Sequence, residues 1–480
     1  MTGHDRTVIV VGAGFSGTAV AAHLLHAPTS APLRVVLVER RALMGRGVAY
    51  STTSPRHLLN VPAGRMSAFA DDEDHFLRFA RERLPSTGGG SFVPRLVYAG
   101  YLEATLCDAE REGAARGHRL ERVTGEAVEV VPRGRGVELR LASGDSVAGR
   151  HLVLALGNYP PADPPVGDAA FYGSPRYVAD AWAPGAIARV DAGAAVLLVG
   201  TGLTMLDVAL QLSDRPGGGA IHALSRRGLV PLPHRPHGAP PSYGHFPPAL
   251  IACEPSAAAY LRAIRAHVRA LARDGVDWRE VMASLRPLTT RLWETLDEAE
   301  RRRFMRHARA YWDTHRHRVA TEVWQRFEEL RASGRVTLHA GRVRAYEEGD
   351  DGVAVRVAPR GAPVGEPGAE PRDETLQVAT VVNCTGPEGN VRCVRDPLLA
   401  SLLGSGVARA DAMGMGLETD ARLALVARDG TPSRSVWLVG PLLRGRYWEA
   451  TAVPELRVHA ARVAREVLRA QAAESAARPD

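Results

Sequence analysis

The sequence predicts an α/β fold made of two parallel-sheet modules, and three observations lead to that prediction. Two glycine-containing turns, Gly12–Gly17 and Gly200–Met205, each follow an apolar strand and each open a helix. A meander of alternating strands follows each turn along the chain. Each meander leads into an apolar strand that ends in glycine, at Gly157 and at Gly386. Because this order occurs twice, it indicates two Rossmann-like dinucleotide-binding domains with related plans.

The first turn has the glycine spacing of a dinucleotide-binding turn. Gly12 permits a tight turn, Gly14 lets a pyrophosphate approach the backbone, and Gly17 lets the helix pack closely on the sheet. The helix N-terminus offers N–H groups and partial positive charge to the phosphates. The next strand ends at Glu39, where an acidic residue is expected to bind ribose hydroxyls. A glycine turn in another kind of α/β protein is the alternative.

The second turn departs from this spacing, because Met205 stands where the third glycine would be. Gly200 and Gly202 still leave the backbone open to a phosphate, and Leu203-Thr204 begin the helix. The following strand ends in Ser225-Arg226-Arg227 rather than in an acidic residue. Because guanidinium groups bind a 2′-phosphate and a carboxylate repels it, we predict that this module binds NADPH rather than NADH. Two arginines on a solvated loop are the alternative.

The composition excludes several classes of function. The chain has 480 residues, enough for two or three domains, and its 60 basic residues are all arginine. Without lysine, neither a Schiff base nor a lysine general base is available. The formal charge of +7 is dispersed along the chain and accompanies no nucleic-acid-binding motif, so we expect no nucleic-acid partner.

The cysteines and the apolar segments predict a cytoplasmic protein without a membrane partner. The 4 cysteines form no CxxC pair, which indicates a reducing compartment and argues against a disulfide-reductase mechanism. No apolar run approaches the length of a membrane helix, and the chain enters its first strand almost at once, so we expect no signal peptide.

The domain organisation is predicted to have three parts. We expect residues 1–165 to form the N-terminal part of the first domain, residues 166–378 the second domain, and residues 379–480 a return segment that completes the first. Residues 250–332 have helical apolar spacing, and we predict that this insertion caps the active site. Within it, Trp312–Arg318 is dense in polar groups and is either a solvated helix face or a clamp for a substrate carboxylate.

A second polar segment, between Pro231 and Pro248, contains His234, His237 and His245. No carboxylate or cysteine partner stands at metal-ligand spacing, so we predict a loop with titratable histidines and no metal site. A metal site is the alternative, and the sequence leaves open whether this loop touches a substrate.

Five motifs carry a resemblance to a known family. They are the segments Gly45–Ser51, His57–Ala63, Met66–Phe69, Gly440–Gly445 and Trp448–Arg457. Together with both glycine turns, they resemble the bacterial FAD/NAD(P)-binding proteins of the YdhS-like family, over nearly the whole chain. These proteins belong to the two-dinucleotide-binding-domain flavoproteins, whose wider group includes flavin monooxygenases.

The resemblance implies an FAD held by the first turn and by the return segment after Gly386. It also implies that the helix starting near Pro454 lies beside the flavin ring, with its N–H groups facing the pyrimidine edge. The candidate cofactor contacts are Gly12, Gly14, Phe15, Ser16, Gly17, Glu39, Arg40, Gly47, Asn60, Val61, Met66, Gly157, Gly200, Gly202, Leu203, Thr204, Ser225, Arg226, Arg227, Gly386, Gly440, Pro441, Glu455 and Leu456.

A segment between the two modules resembles the FxGxxxHxxxW motif of Baeyer–Villiger and related monooxygenases. Phe171 and Gly173 fit this motif, but Tyr177 replaces the histidine and Trp182 comes one position late. The segment is therefore either a degenerate relative of the motif or a linker with aromatic packing.

We expect NADPH-dependent reduction of FAD followed by reaction with dioxygen, with N-hydroxylation of an amine or amino acid through a flavin hydroperoxide. This chemistry needs positioning and water exclusion rather than acid–base residues, and the sequence assigns no catalytic side chain. The partners are then a small-molecule substrate and dioxygen, with a homodimer as one assembly. A flavin reductase that passes electrons onward and a non-catalytic redox sensor are the alternatives.

Overall fold

The computed structural model describes residues 6–235, 244–361 and 373–476. The N-terminal part of the chain contains ten helices and strands. They are β1 (Thr7–Val11), α1 (Phe15–His26), β2 (Arg34–Glu39), α2 (His75–Arg83), α3 (Arg95–Ala115), β3 (Arg119–Thr124), β4 (Ala127–Arg133), β5 (Gly136–Leu141), β6 (Ser146–Gly149) and β7 (His151–Leu154).

The middle of the chain contains the following elements: β8 (Tyr177–Val178), β9 (Val196–Val199), α4 (Leu203–Ser213), β10 (Ile221–Ser225), α5 (Ala249–Ala252), α6 (Ala257–Ala272), α7 (Trp278–Ser284), α8 (Thr289–Thr295), α9 (Glu298–Arg303), α10 (Arg309–Arg316), α11 (Thr321–Ala332), β11 (Val336–Gly349), β12 (Gly352–Pro359), β13 (Glu374–Val378) and β14 (Thr380–Asn383). A π-helical turn, Phe304–Ala308, joins α9 to α10. The C-terminal part adds α12 (Pro397–Ser405), β15 (Ala424–Val426), β16 (Pro432–Leu438) and α13 (Val453–Ala476).

The first sheet combines the two ends of the chain. Its strand order is β15-β16-β7-β1-β2-β3, and every neighbouring pair except β15–β16 is parallel. The strand β1 is buried along its whole length, as its continuous apolar run predicts. Helix α1 packs against α3 and α13, and β4, β5 and β6 form a separate antiparallel sheet. The C-terminal strands β15 and β16 therefore belong to the first sheet.

The second sheet has the order β13-β12-β11-β10-β9-β14-β8. Five strands, from β8 to β11 in that order, are parallel, and the hairpin partners β12 and β13 are antiparallel. Because β14 pairs with β9, residues 380–383 belong to this sheet. The predicted boundary at residue 378 is therefore too early, since β14 lies inside the second sheet, between β9 and β8. The predicted fold class, two Rossmann-like units in one α/β chain, is confirmed.

Helices α5 to α10 form an insertion between β10 and β11. Several have clear start signals, because the side chains of Ser256, Asp277 and Asp297 accept N-cap hydrogen bonds from backbone N–H groups of the first turn. The predicted insertion also included α11, but this helix buries Phe327 and Leu330 in the core of the second module. Helix α11 is thus the crossover helix between two parallel strands, and the extra structure ends before it.

Within the described residues, no helix combines the length and the apolarity needed to cross a membrane.

Candidate functional site

The first glycine turn is fixed by contacts that leave no room for side chains. Gly12 has a φ of +95°, and a Cβ there would lie 2.3 Å from the carbonyl oxygen of Ala155 on the neighbouring strand. A Cβ on Gly17 would lie 1.8 Å from the carbonyl oxygen of Gly12. The helix α1 therefore begins tight against the end of β1, with its N-terminus aimed out of the turn.

The turn, the end of β2 and a loop form a cradle that a dinucleotide fits. A Cβ on Gly47 would lie 3.0 Å from the Cα atom of Gly14. Because neither residue has a side chain, the backbone is uncovered at both positions. The carboxylate of Glu39 accepts a hydrogen bond of 2.8 Å from the N–H of Ala13, which places it at the turn. Its oxygens keep further lone pairs for ribose hydroxyls. Gly440 also faces the turn, since a Cβ there would lie 3.6 Å from Ser16 Oγ.

The second turn has the same tight first glycine and an open second one. Gly200 has a φ of +108°, and a Cβ there would lie 2.4 Å from the carbonyl oxygen of Cys384. No atom lies within 4 Å of a Cβ built on Gly202, so this position is open to a ligand. Met205 is fully buried in the core and takes the place of the third glycine without separating α4 from the sheet. The backbone needed for a diphosphate is therefore present here as well.

Four arginines gather at the end of β10 beside the second turn. The pKa of Arg226 is lowered by burial and by the positive charges of Arg227, Arg342 and Arg309. Arg227 lies over the ring of Tyr311, 5.6 Å from its centroid. Arg226 and Arg227 follow from the local sequence pattern, whereas Arg309 and Arg342 do not, because these two come from α10 and β11 and share no local motif with the turn. Such a concentration of positive charge suits a phosphate.

The two modules meet where a predicted FAD contact lies beside a predicted NADPH contact. Asn60 and Leu203 line one small cavity between the modules, together with Val319 at the start of α11. A nearly buried ion pair of 2.8 Å joins Arg95 on α3 to Asp207 on α4, with 13% and 8% of their side chains exposed. We call this region, defined by Asn60, Leu203, Val319 and the Arg95–Asp207 pair, the junction. It holds the N-terminus of α4 against the first module.

The aromatic segment between the modules divides into a packing part and a junction part. Phe171 stacks on Tyr346 with a centroid distance of 4.5 Å, and the hydroxyl of Tyr177 donates to Asp163 at 2.7 Å. Trp182 instead reaches the junction, where it lies 5.5 Å from His57 and 5.4 Å from the guanidinium of Arg95. Phe171 and Tyr177 are therefore packing residues, which favours the linker interpretation over a degenerate monooxygenase motif for these two positions.

The helix α13 differs from its predicted role at two candidate contacts. The N–H groups of Glu455 and Leu456 both donate to the carbonyl of Ala452, so they are not free to face a flavin ring. The Glu455 carboxylate pairs with Arg286 at 2.5 Å, and the Leu456 side chain packs in the first core. The expectation of free N–H groups at these two residues is wrong because α13 starts at Val453, one residue earlier than predicted.

The remaining candidate contacts lie on or near the same loops. Met66 is buried and Val61 is partly buried in the first core, Arg40 is exposed after β2, and Gly157 follows β7 with a φ of +74°. Thr204 opens α4, and Ser225 Oγ accepts a hydrogen bond of 2.8 Å from the hydroxyl of Thr201. Pro441 and Gly386 lie in the loops after β16 and β14. These positions remain predicted cofactor contacts.

The insertion is fixed to the return segment of the first module. Trp293 stacks on Trp448 with a centroid distance of 4.8 Å, and its indole N–H donates to the carbonyl of Gly445 at 2.9 Å. Arg316, at the end of α10, forms a buried ion pair of 2.7 Å with Glu449. These contacts join residues that are far apart in the sequence, and they place the insertion against the segment that follows β16. Its capping of an active site remains a prediction.

The described residues contain no group of three or more His, Cys, Asp or Glu side chains that could hold a metal ion. His237 lies outside the described residues. Burial and the charge of Asp207 raise the pKa of the Cys384 thiol far above its ordinary value, so this thiol stays protonated. His245 donates its backbone N–H to Ser284 Oγ at 3.1 Å.

We expect His234 to lower the stability of the folded protein as the pH decreases below about 6.5. Its Nε2 donates to the Asn60 carbonyl at 3.0 Å, and burial, with Arg318 nearby, lowers the pKa of His234 from 6.5 to about 3. Between pH 6.5 and about pH 3, the His234 ring is therefore protonated in the unfolded chain but not in the folded chain. The free energy of unfolding falls by about 2 kcal/mol between pH 6 and pH 4.5 as a result. The variant His234→Gln keeps an N–H donor without a titrating ring, and it should lose less stability than the wild type over the same pH interval.

Denaturant unfolding at pH 6 and pH 4.5 measures this difference, with the exposed His307→Gln as control. An unchanged pH dependence in His234→Gln would contradict the assignment of a depressed pKa to His234.

Comparisons with known proteins agree with this geometry. Residues 9–159 match a family model described as FAD-NAD(P)-binding, and no curated protein sequence matches the chain. Among solved structures, the L-lysine 6-monooxygenase of Pseudomonas syringae is 18% identical with a TM-score of 0.63, over 96% of this chain and 99% of that one. The ornithine N-hydroxylase of Kutzneria sp. 744, with reduced FAD, NADP⁺ and L-ornithine, is 17% identical with a TM-score of 0.61, over 97% and 99%.

The cadaverine monooxygenase of Erwinia amylovora, bound to FAD, is 12% identical with a TM-score of 0.63, over 97% of this chain and 94% of that one. At such identities the likeness establishes the fold over nearly the whole length of both chains. The family match at residues 9–159 confirms the expected class of cofactor for the first module. The chain thus folds into two Rossmann-like units, and residues 9–159 of the first unit match the FAD-NAD(P)-binding family model.

Proposed function

We propose that this protein is an FAD- and NADPH-dependent monooxygenase that hydroxylates a nucleophilic nitrogen of an amine or amino acid. The observation that carries the proposal is the pair of glycine turns, in which Gly12 and Gly200 are packed too tightly for a side chain and each turn opens a helix N-terminus to a diphosphate. Each turn would hold one dinucleotide, and the Arg95–Asp207 pair joins the two modules that carry the turns. The motifs that resemble the YdhS-like flavoproteins support the same arrangement.

In this proposal the protein's own groups bind, orient and exclude water. The Gly12–Gly17 turn and Glu39 hold the FAD, and the Gly200–Met205 turn with the four arginines holds the NADPH. Bound FAD supplies the redox chemistry, since it takes a hydride from NADPH and reacts with dioxygen when reduced. The insertion, fixed by the Arg316–Glu449 pair, limits the access of water to the junction. No acid–base side chain is required.

A nitrogen substrate is favoured by the fold comparison. The three proteins of the same fold are an ornithine N-hydroxylase, an L-lysine 6-monooxygenase and a cadaverine monooxygenase. Each of these compounds carries a primary amine at the end of an aliphatic chain. We therefore extend the class, an aliphatic primary amine, to this chain as a proposal about its substrate.

A turnover assay tests the proposal. The purified protein, loaded with FAD, is incubated with NADPH and with L-ornithine, L-lysine, cadaverine and a wider amine panel. We expect at least one amine to accelerate NADPH oxidation and to yield a hydroxylamine product detected by mass spectrometry. Hydrogen peroxide is measured in parallel.

Peroxide equal to the NADPH consumed, with every amine without effect, would contradict oxygenation and favour the flavin reductase. FAD that NADPH fails to reduce would contradict both enzymes and favour the redox sensor. The same assay with NADH in place of NADPH reports the nicotinamide preference.

A further inference from the structure

The connection between α10 and α11 contains a buried arginine without a carboxylate partner. Arg318 is 9% exposed, and its Nε makes no hydrogen bond. In the described parts of the chain, no carboxylate oxygen lies within ion-pair distance of its guanidinium. A buried charge in this state is costly, because it has lost water without gaining an opposite charge.

Its neighbours supply no ion-pair partner. Burial and the positive charges of Arg316, Arg279 and Arg235 lower the pKa of Arg318 to about 10, while the negative charge of Asp277, which is itself paired with Arg279, acts in the opposite direction. Each of these three has its own carboxylate: Arg316 pairs with Glu449, Arg279 with Asp277 and Arg235 with Glu280. Arg318 is therefore surrounded by arginines whose counter-charges are already engaged.

The backbone holds this arginine beside the junction. The N–H of Val319 donates to the carbonyl of Leu232 at 3.0 Å, and the N–H of His234 donates to the carbonyl of Val319 at 2.9 Å. Val319 and Ala320 line the junction cavity with Asn60 and Leu203. Arg318 itself does not line this cavity, but its charge acts on His234, whose Nε2 donates to the carbonyl of Asn60, so a group bound by Arg318 would lie near the Asn60 side of the junction.

A guanidinium presents two parallel N–H donors that match the oxygens of a carboxylate or a phosphate. An anionic ligand would supply both the missing charge and the missing hydrogen bonds. The cost of burying Arg318 without a partner would then be offset only in the ligand-bound protein.

We propose that Arg318 binds an anionic oxygen group at the junction. This inference rests on the proposed function for the identity of the bound molecule, because two sources carry such a group there. One is the carboxylate of an amino-acid substrate, and the other is the diphosphate of the nicotinamide dinucleotide at the N-terminus of α4. Either source makes Arg318 a specificity-determining residue contributed by the connection between the insertion and α11.

Thermal unfolding of the FAD-loaded protein tests the proposal without turnover. Glutarate is the carboxylate probe and inorganic pyrophosphate is the phosphate probe, and each is titrated into the wild type, Arg318→Gln and Arg318→Lys. The control is Arg331→Gln, on the exposed face of α11. We expect one probe to stabilise the wild type and the control, with its apparent Kd weakened about tenfold or more in Arg318→Gln. Arg318→Lys, which keeps the charge without the fork, should respond more weakly than the wild type.

Loss of the glutarate response in Arg318→Gln assigns the site to a substrate carboxylate, and loss of the pyrophosphate response assigns it to the dinucleotide. Without a probe, Arg318→Gln should unfold at the same temperature as the wild type or higher, because it removes an unpaired charge. A lower unfolding temperature for this variant, or equal probe responses in Arg318→Gln and the wild type, would overturn the proposal. Because no readout uses NADPH oxidation, an inactive protein that still binds a probe through Arg318 would contradict the proposed function alone.

Discussion

Replacing Gly17 by alanine is expected to abolish FAD binding. The new Cβ would lie 1.8 Å from the carbonyl oxygen of Gly12 and 3.4 Å from the Cβ of Ala155. The first contact is with backbone, so either α1 must move away from β1 or the turn must open. Both movements displace the N–H groups at the start of α1 that would hold the diphosphate.

The flavin-to-protein ratio, measured by absorbance after reconstitution with excess FAD, reports the effect. The matched control is Gly404→Ala in α12, because no atom lies within 4 Å of a Cβ at that position and alanine favours a helix over glycine. We expect the control to bind FAD at the wild-type ratio and Gly17→Ala to bind almost none. A Gly17→Ala protein with a normal flavin content would show that the first turn does not hold the FAD.

The sequence predicted this turn well because its chemistry is local. The three glycines, the apolar strand before them and Glu39 at the end of the next strand lie within 28 residues, Gly12 to Glu39, and each has a steric or charge reason to stand where it does. The same reasoning located the second turn, although its third glycine is replaced by Met205. Met205 is fully buried, so the missing glycine is compensated by packing that no local rule describes.

The boundary after the second module was less accessible to sequence reasoning. The predicted return segment, residues 379–480, includes β14, although the strand before Gly386 also completes the second copy of the order of turn, meander and strand. A strand's partner depends on the position of the whole chain, and β14 pairs with β9 rather than with the first sheet. Apolar runs predict a strand, but they do not say which sheet contains it.

The groups that complete the site were missed for a related reason. Arg309 and Arg342 carry no motif of their own, and they come from α10 and β11, which are distant in the sequence from the second turn. In an arginine-rich chain, many arginines lie in surface ion pairs, such as Arg34–Glu121, Arg122–Glu110 and Arg409–Glu418, and these hide the few that converge. The sequence did single out Trp312–Arg318 as a possible carboxylate clamp. The structure divides that segment, since Arg316 pairs with Glu449 and Arg318 has no carboxylate partner among the described residues.

Removal of both guanidinium groups at the end of β10 is expected to weaken NADPH binding about 100-fold with little effect on NADH. The double variant Arg226→Ala, Arg227→Ala removes the charged donors proposed for the 2′-phosphate, and each such hydrogen bond is worth about 1.5–3 kcal/mol. NADH lacks this phosphate and loses nothing there. Arg309 and Arg342 remain, and their positive charges should keep the loss from being complete.

The dissociation constants of NADPH and NADH are compared by titration of the FAD-loaded protein, with Arg331→Ala as control. Arg226→Ala alone separates charge from packing, because Arg227 also contacts Tyr311 and the carbonyl of Arg306 on the insertion. Equal weakening of NADPH and NADH would mean that the arginines support the insertion rather than the phosphate. A selective loss for NADPH assigns them to the 2′-phosphate, and with it the second turn to the nicotinamide dinucleotide, which the proposed hydride transfer at the junction requires.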